Sequence, residues 1–152
     1  MLRLHVVQAE YGDCLILESG TPLKRRYMLI DGGPGTIYER HLRGHLREIA
    51  GRGERLDLVV LSHVDNDHII GLLDLTAELR QQRADGTAET IGIDALWHNA
   101  FSQTIGSGND IGNRLKTGLA SAGAAGQTMA LAGMAVEGIG EGHRLRLAAA
   151  AL

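Results

Sequence analysis

The sequence predicts an α/β or α+β layered domain, a sheet with helices packed on it. Three observations carry that expectation. Leu2-Arg3-Leu4-His5-Val6-Val7 alternates apolar and polar side chains at the period of a half-buried strand. Tyr38, Leu42, Leu46 and Ile49 recur at helical spacing, with Arg40, Arg43 and Arg47 on other faces. Strand-type and helix-type segments then alternate along the chain, the order that layered α/β folds require.

Taken in order, Tyr11-Gly12-Asp13 punctuates a turn and Cys14-Leu15-Ile16-Leu17-Glu18 reads as the second strand. Ser19-Gly20-Thr21-Pro22 makes the next turn. Lys24-Arg25-Arg26 has the look of a solvated basic loop, and Tyr27-Met28-Leu29-Ile30 is a third strand, completing an antiparallel meander that ends at Asp31-Gly32-Gly33-Pro34-Gly35. Thr36 can cap the first helix, and Gly51 falls where a helix commonly ends. Leu58-Val59-Val60-Leu61 is continuously apolar, the signature of a strand buried on both faces. A second helix begins with Ile69, Leu72, Leu73, Leu75 and Leu79 and closes near Ala84-Asp85-Gly86. Ile91 to Trp97 reads as a strand, with His98 at its exit. Asn109 or Asp110 could cap a helix through Leu115 and Leu119, and a last weak helix runs from His143.

At 152 residues the chain fits one domain, residues 1–152. Residues from 101 onward are rich in Gly and Ala and end on Ala148-Ala149-Ala150-Ala151-Leu152 without a capping signal, so the expectation is an incomplete domain. With 44% hydrophobic and 22% charged residues the balance is that of an ordinary globular protein. A net charge of −3 gives no general attraction to nucleic acid or membranes. The one cysteine, Cys14, rules out an internal disulfide and suits a reducing compartment. The N-terminus lacks the layout of a signal peptide and no apolar run reaches a membrane span, so the expected location is the cytoplasm.

The chemistry concentrates in Ser62-His63-Val64-Asp65-Asn66-Asp67-His68. Four metal-ligand side chains fall within six positions, directly after a buried strand. Desolvated carboxylates are costly unless a cation pairs them. His63 and Asp65, two apart, point the same way in an extended stretch, and a tight turn can aim Asp67 and His68 at a neighbouring point. Two bidentate halves suit two divalent ions, which activate water and clamp the oxygens of a hydrolytic step. A calcium loop starting at Asp65 is excluded, because its sixth and twelfth positions hold Ile70 and Thr76 where Gly and Glu are needed. The bland alternative is a solvated turn in which Asp67 caps the second helix and the histidines are incidental.

The string strand, His-x-Asp-x-Asp-His, helix resembles the second motif of the metallo-β-lactamase superfamily, commonly His-x-His-x-Asp-His. Gly12-Asp13-Cys14-Leu15-Ile16-Leu17 and Leu29-Ile30-Asp31-Gly32-Gly33 resemble that superfamily's opening strands and first Asp motif. The variant with Asp at the third position is similar to the hydrolase domain of ComEC-like competence proteins. The resemblance covers residues 1 to about 100 and implies the N-terminal half or more of an αββα sandwich, with 101–152 unassigned. It implies that His63 and Asp65 hold a first metal ion and Asp67 and His68 a second. It also implies that Asp67 orients the metal-bound hydroxide and that Asp31 lies beside the site and braces it; the alternative for Asp31 is a turn residue feeding Gly32-Gly33, and Asp13 reads equally as a second bracing carboxylate or a turn residue. Zinc is the first expectation, manganese or iron the alternatives, since Asp65 enriches the site in oxygen donors. The implied substrate is a phosphodiester, ester or amide, with nucleic acid entering only through the ComEC-like analogy.

The superfamily's third-motif ligand, bridging Asp and last His have no counterpart that can be placed here. His98 could approach the substrate side, with a helix-cap or surface role as the favoured alternative. His41 and His45 share a helical face without the Glu of a zinc-protease motif and read as surface residues. His5 reads as structural, His143 as a weak ligand candidate, and Cys14 as a buried inert thiol. Gly71, one turn into the second helix, would permit a close approach. The competing function is an inactive, truncated half-domain with a structural or partner-binding role, pairing with a missing segment or a second copy as a homo-oligomer.

Overall fold

The computed structural model describes residues 1–98 together with Arg144 and Leu145. Five strands form one mixed sheet in the order β1-β2-β3-β4-β5: β1 Leu2–Val6, β2 Leu15–Thr21, β3 Lys24–Ile30, β4 Leu58–Leu61 and β5 Leu96–His98. β1, β2 and β3 pair antiparallel, as hairpin connections dictate, while β3, β4 and β5 pair parallel through helical crossovers. A π-helical turn, Tyr38–Leu42, leads into α1, Arg43–Gly51, and α2 spans Asn66–Asp85. This is the α/β class expected from the periodicity, and it is consistent with a partial domain of the sandwich type.

The register sorts side chains onto two faces. Ile16, Leu29, Tyr27, Val59 and Leu61 share the buried face and form one core with Leu42, Leu46 and Ile49 and with Ile69, Leu72, Leu75 and Leu79 of α2. Burying a Leu or Ile side chain stabilises by about 1.5–3 kcal/mol each, so this cluster contributes strongly to holding the helices on the sheet. The other face carries Leu2, Leu4, Val6, Leu17, Met28, Val60 and Trp97 and is half-buried or exposed. β4 therefore alternates in burial, and the expectation of burial on both faces is corrected.

Several local expectations change for physical reasons. β2 continues through Gly20, and the hairpin turn falls at Pro22 and Leu23. Gly20, at φ +110° and pressed against the Lys24 carbonyl, lets the ladder run on, while Pro22 has no N–H to donate. Lys24, Arg25 and Arg26 belong to β3, where Arg25 pairs with Glu18 at 3.5 Å and Arg26 with Asp57. Thr36 does not cap the first helix; it sits at φ +74° and its carbonyl accepts the Arg40 N–H at 3.1 Å. α2 begins at Asn66, three residues earlier than the apolar pattern suggests, and Gly86 closes it in a left-handed conformation. β5 is short, with Leu56 and Ile93 forming an isolated parallel bridge before it, and His98 is its last residue instead of lying beyond it. The helices expected through Leu115 and Leu119 and from His143 lie outside the described residues, except for Arg144 and Leu145, which are helical, with Leu145 in the core.

Candidate metal centre

The parallel strands deliver the site. Asp31 directly follows β3, Ser62 and His63 directly follow β4, and His98 ends β5, so these residues gather at the carboxyl-terminal edge of the sheet, where α/β folds place their ligands. The Asp31 N–H extends the ladder to the Val60 carbonyl at 2.9 Å, fixing it beside the β4 exit. Asp31 is buried and left-handed at φ +57°, a conformation that costs a side-chain-bearing residue about 1–2 kcal/mol and that Asp tolerates better than most. The turn that follows, Gly32-Gly33, lies directly against α2.

Glycines set that contact. A Cβ on Gly71 would enter the Gly32 carbonyl, and one on Gly32 would enter the backbone at Gly71 and Leu72. The Gly32 N–H donates to the His68 carbonyl at 2.7 Å, and the Gly71 N–H donates to the Gly33 carbonyl at 3.1 Å. Gly12 is equally tight against the Asp67 carbonyl, which brings the loop carrying Asp13 to the same place. The close approach expected at Gly71 is present; its counterparts Gly12 and Gly32 carry no such signal in the sequence.

Asp67 and His68 lie in the first turn of α2, not in a separate tight turn, and Asp65 is the extended N-cap residue. No side-chain hydrogen bond caps this helix. Asp67 is thus not the cap that the bland reading requires, and the Asp65 carboxylate is not consumed by capping. The helix N-terminus also favours the negative charge of Asp67.

The side chains converge. His68 is buried, and its Nδ1 lies 3.0 Å from Asp31 Oδ2 and 3.8 Å from Asp13 Oδ2. Its Nε2 lies 3.4 Å from Asp67 Oδ2. The His63 and His68 rings pack with centroids 3.6 Å apart at 49°. His63 Nε2 is 3.6 Å from Asp65 Oδ2. Two groups of three could hold a divalent ion, His63 with Asp67 and His68, and Asp13 with Asp31 and His68; in each, one donor atom per residue falls within 4.8 Å of the others. Asp65 belongs to neither group and reaches the site only through His63.

The donor chemistry fits an ion. Asp31 accepts hydrogen bonds from the Ser62 N–H at 2.7 Å and the Ser62 hydroxyl at 2.6 Å, as well as lying against His68 Nδ1. An ionised carboxylate only accepts, so a neutral His68 carries its proton on Nδ1 and presents a lone pair at Nε2 to Asp67. Two acceptors facing each other are repulsive without a cation between them. Asp31 is thus placed to hold the His68 ring in one orientation, as an outer carboxylate would for a ligating imidazole. Ser62, given no role by the sequence beyond its place in the motif, is the missed member.

A chain with this arrangement has a family match. Residues 9–82 match the metallo-beta-lactamase superfamily. The match spans just under half the chain and takes in both Asp31 and the His63–His68 motif. No curated protein and no solved structure matches the chain.

The other histidines separate from the site. His98 ends β5 opposite Leu61 and lines a cleft of about 460 Å³ with Val60, Leu61, Ser62 and Trp97. Since Ser62 also bonds Asp31, this cleft adjoins the candidate centre. His41 is half-buried and His45 exposed on the first helical segment, and neither joins a metal-type group among the described residues. His5 lies 3.3 Å from the buried Glu18. Cys14 is buried, and burial, followed by the nearby Asp31 charge, pushes its thiol up to about 12, so it stays protonated and inert. No helix among the described residues is long and apolar enough to cross a membrane.

Proposed function

We propose that this chain is a metal-dependent hydrolase of the ComEC-like branch, acting on a phosphodiester, with carboxylic esters or amides as the alternative substrates. The observation that carries the reading is the approach of His68 Nε2 to the Asp67 carboxylate at 3.4 Å, with the His63 ring packed at a tilt beside it. His63, Asp67 and His68 would hold one divalent ion, and Asp65, 3.6 Å from His63 Nε2, would lend its carboxylate to a second ion on the His63 side. Zinc is the first choice, manganese or iron the alternatives. When bound, such ions supply Lewis acidity that makes water a nucleophile at neutral pH.

The chain's own residues do the rest. Asp31 keeps the proton of His68 on Nδ1 and the ring in place. Asp67, with one oxygen turned to His68, has a second oxygen to accept a hydrogen bond from an attacking water. Asp13, exposed and 3.8 Å from His68 Nδ1, adds negative charge behind the imidazole. His98 and Trp97 line the cleft through which substrate would reach these groups.

Equilibrium dialysis against zinc and manganese, followed by an assay on bis(4-nitrophenyl) phosphate, tests the reading. Tight stoichiometric metal and metal-dependent turnover are expected, with both lost in His63→Ala and Asp67→Ala. Weak or absent binding, or stoichiometric metal retained in both variants, would sink it and leave the inactive half-domain as the account of this chain.

A further inference from the structure

The Ser62 hydroxyl faces two polar groups, the Asp31 carboxylate and the His63 ring, with one hydrogen to share. Its backbone N–H reaches Asp31 Oδ1 at 2.7 Å and its Oγ lies 2.6 Å from Asp31 Oδ2. Because the buried carboxylate can only accept, that hydrogen is committed to Asp31. Ser62 Oγ also lies 3.0 Å from His63 Nδ1. With its hydrogen spent, the oxygen can meet that nitrogen only as an acceptor, so Nδ1 of His63 carries the proton. His68 Nδ1, 3.0 Å from the same Asp31 Oδ2, is a donor by the same logic.

We infer that Ser62 is a positioning residue that joins Asp31 to His63, so that one buried carboxylate sets the tautomer of both imidazoles and frees both Nε2 lone pairs for a divalent ion. The last step rests on the proposed metal reading; the tautomer assignment stands on the hydrogen bonds alone. The chain has the right asymmetry for this. His68 is buried and bonds Asp31 directly, whereas His63 is exposed and would otherwise take its hydrogen bonds from water. A free imidazole in water prefers the Nε2–H tautomer, which would block the nitrogen that faces Asp65. Ser62 corrects that preference at the one of the two site histidines that solvent reaches.

The test is long-range proton–nitrogen NMR of the histidine rings in the metal-free protein, held at a pH where the imidazoles are neutral. In the wild type His63 and His68 are both expected as Nδ1–H. In Ser62→Ala, His63 should move to Nε2–H while His68 keeps its tautomer, and zinc affinity should fall about 10–100-fold. Ser62→Thr, which retains the hydroxyl, should restore both readouts. Unchanged His41 and His45 signals establish that the variants are folded. His63 already as Nε2–H in the wild type, or unmoved by Ser62→Ala, would overturn the inference. The expected tautomer shift in Ser62→Ala, together with a wild type that binds no zinc, would leave Ser62's hold on His63 standing and overturn the metal reading instead.

Discussion

Two carboxylates tie α2 to the rest of the fold, Asp31 beside its first turn and Glu78 from within its second half, and they differ in what their partners do next. Glu78 collects Tyr38 Oη at 2.9 Å, Arg43 Nε at 2.7 Å, Thr90 Oγ1 at 2.6 Å and Gln82 Nε2 at 3.1 Å, with Arg47 at 3.5 Å. Burial pushes its carboxyl upward, but the hydrogen bonds from Thr90, Tyr38 and Arg43 outweigh it, and its pKa falls below the ordinary value. Asp31 collects Ser62 twice and His68 once. The partners of Glu78 tie the π-helical turn, α1 and the segment before Ile91 to the helix. The partners of Asp31 are instead held by one atom so that another, an imidazole Nε2, can face a shared space.

The largest effect that could break this comparison is mechanical. Gly71→Ala should destabilise by about 1–3 kcal/mol by urea denaturation, despite the gain of about 1 kcal/mol that Ala brings inside a helix. It should also weaken metal binding, since it lifts the Asp31 end of α2. Gly44→Ala in α1, where a Cβ meets nothing within 4 Å, should instead stabilise by about 0.5–1 kcal/mol. Equal effects at the two glycines would remove the close approach from the account.

Next come the carboxylates themselves. Asp31→Asn, chosen because Asn also accepts a left-handed backbone, should lower zinc affinity about 10–100-fold. Glu78→Gln should cost about 1–3 kcal/mol of stability and leave zinc affinity unchanged. Loss of affinity in both variants, measured by competitive zinc titration, would make the distinction between them empty.

The smallest effects are in pH. Burial and the Glu78 hydrogen bond push the Tyr38 hydroxyl up to about 12 from an ordinary 10. Its contribution to stability is present below pH 10 and disappears between about pH 10 and 12. The lowered pKa of Glu78 works the other way: its contribution is present above the ordinary 4.5 and is lost as the pH falls through the folded value. Denaturation midpoints across pH should fall at both extremes, and Glu78→Gln should flatten the acid side. An acid limb as steep in the variant as in the wild type would assign it to other carboxylates.

Element order was legible because apolar periodicity survives in a linear reading: Tyr38, Leu42, Leu46 and Ile49 turn inward as their spacing requires. Boundaries failed where polar residues belong to regular structure. Lys24, Arg25 and Arg26 look like a loop until Glu18 and Asp57 are seen beside them, and Asn66-Asp67-His68 gives no apolar hint of a helical first turn. The donors His63 to His68 were conspicuous through density alone. Ser62 and Asp31 lie 31 positions apart and meet only because β3 and β4 pair in parallel, so their network is a property of the register. Gly12 and Gly32 are similar: what each one touches lies far away in the chain.

X-ray absorption of the zinc-loaded protein tests the central claim most directly, because it counts the imidazoles on the ion. The account predicts a shell with two histidine nitrogens at about 2.0–2.1 Å together with carboxylate oxygen and no sulfur, and one imidazole fewer in His68→Ala. A shell of oxygens without imidazole scattering, or a spectrum that His68→Ala leaves unchanged, would contradict it.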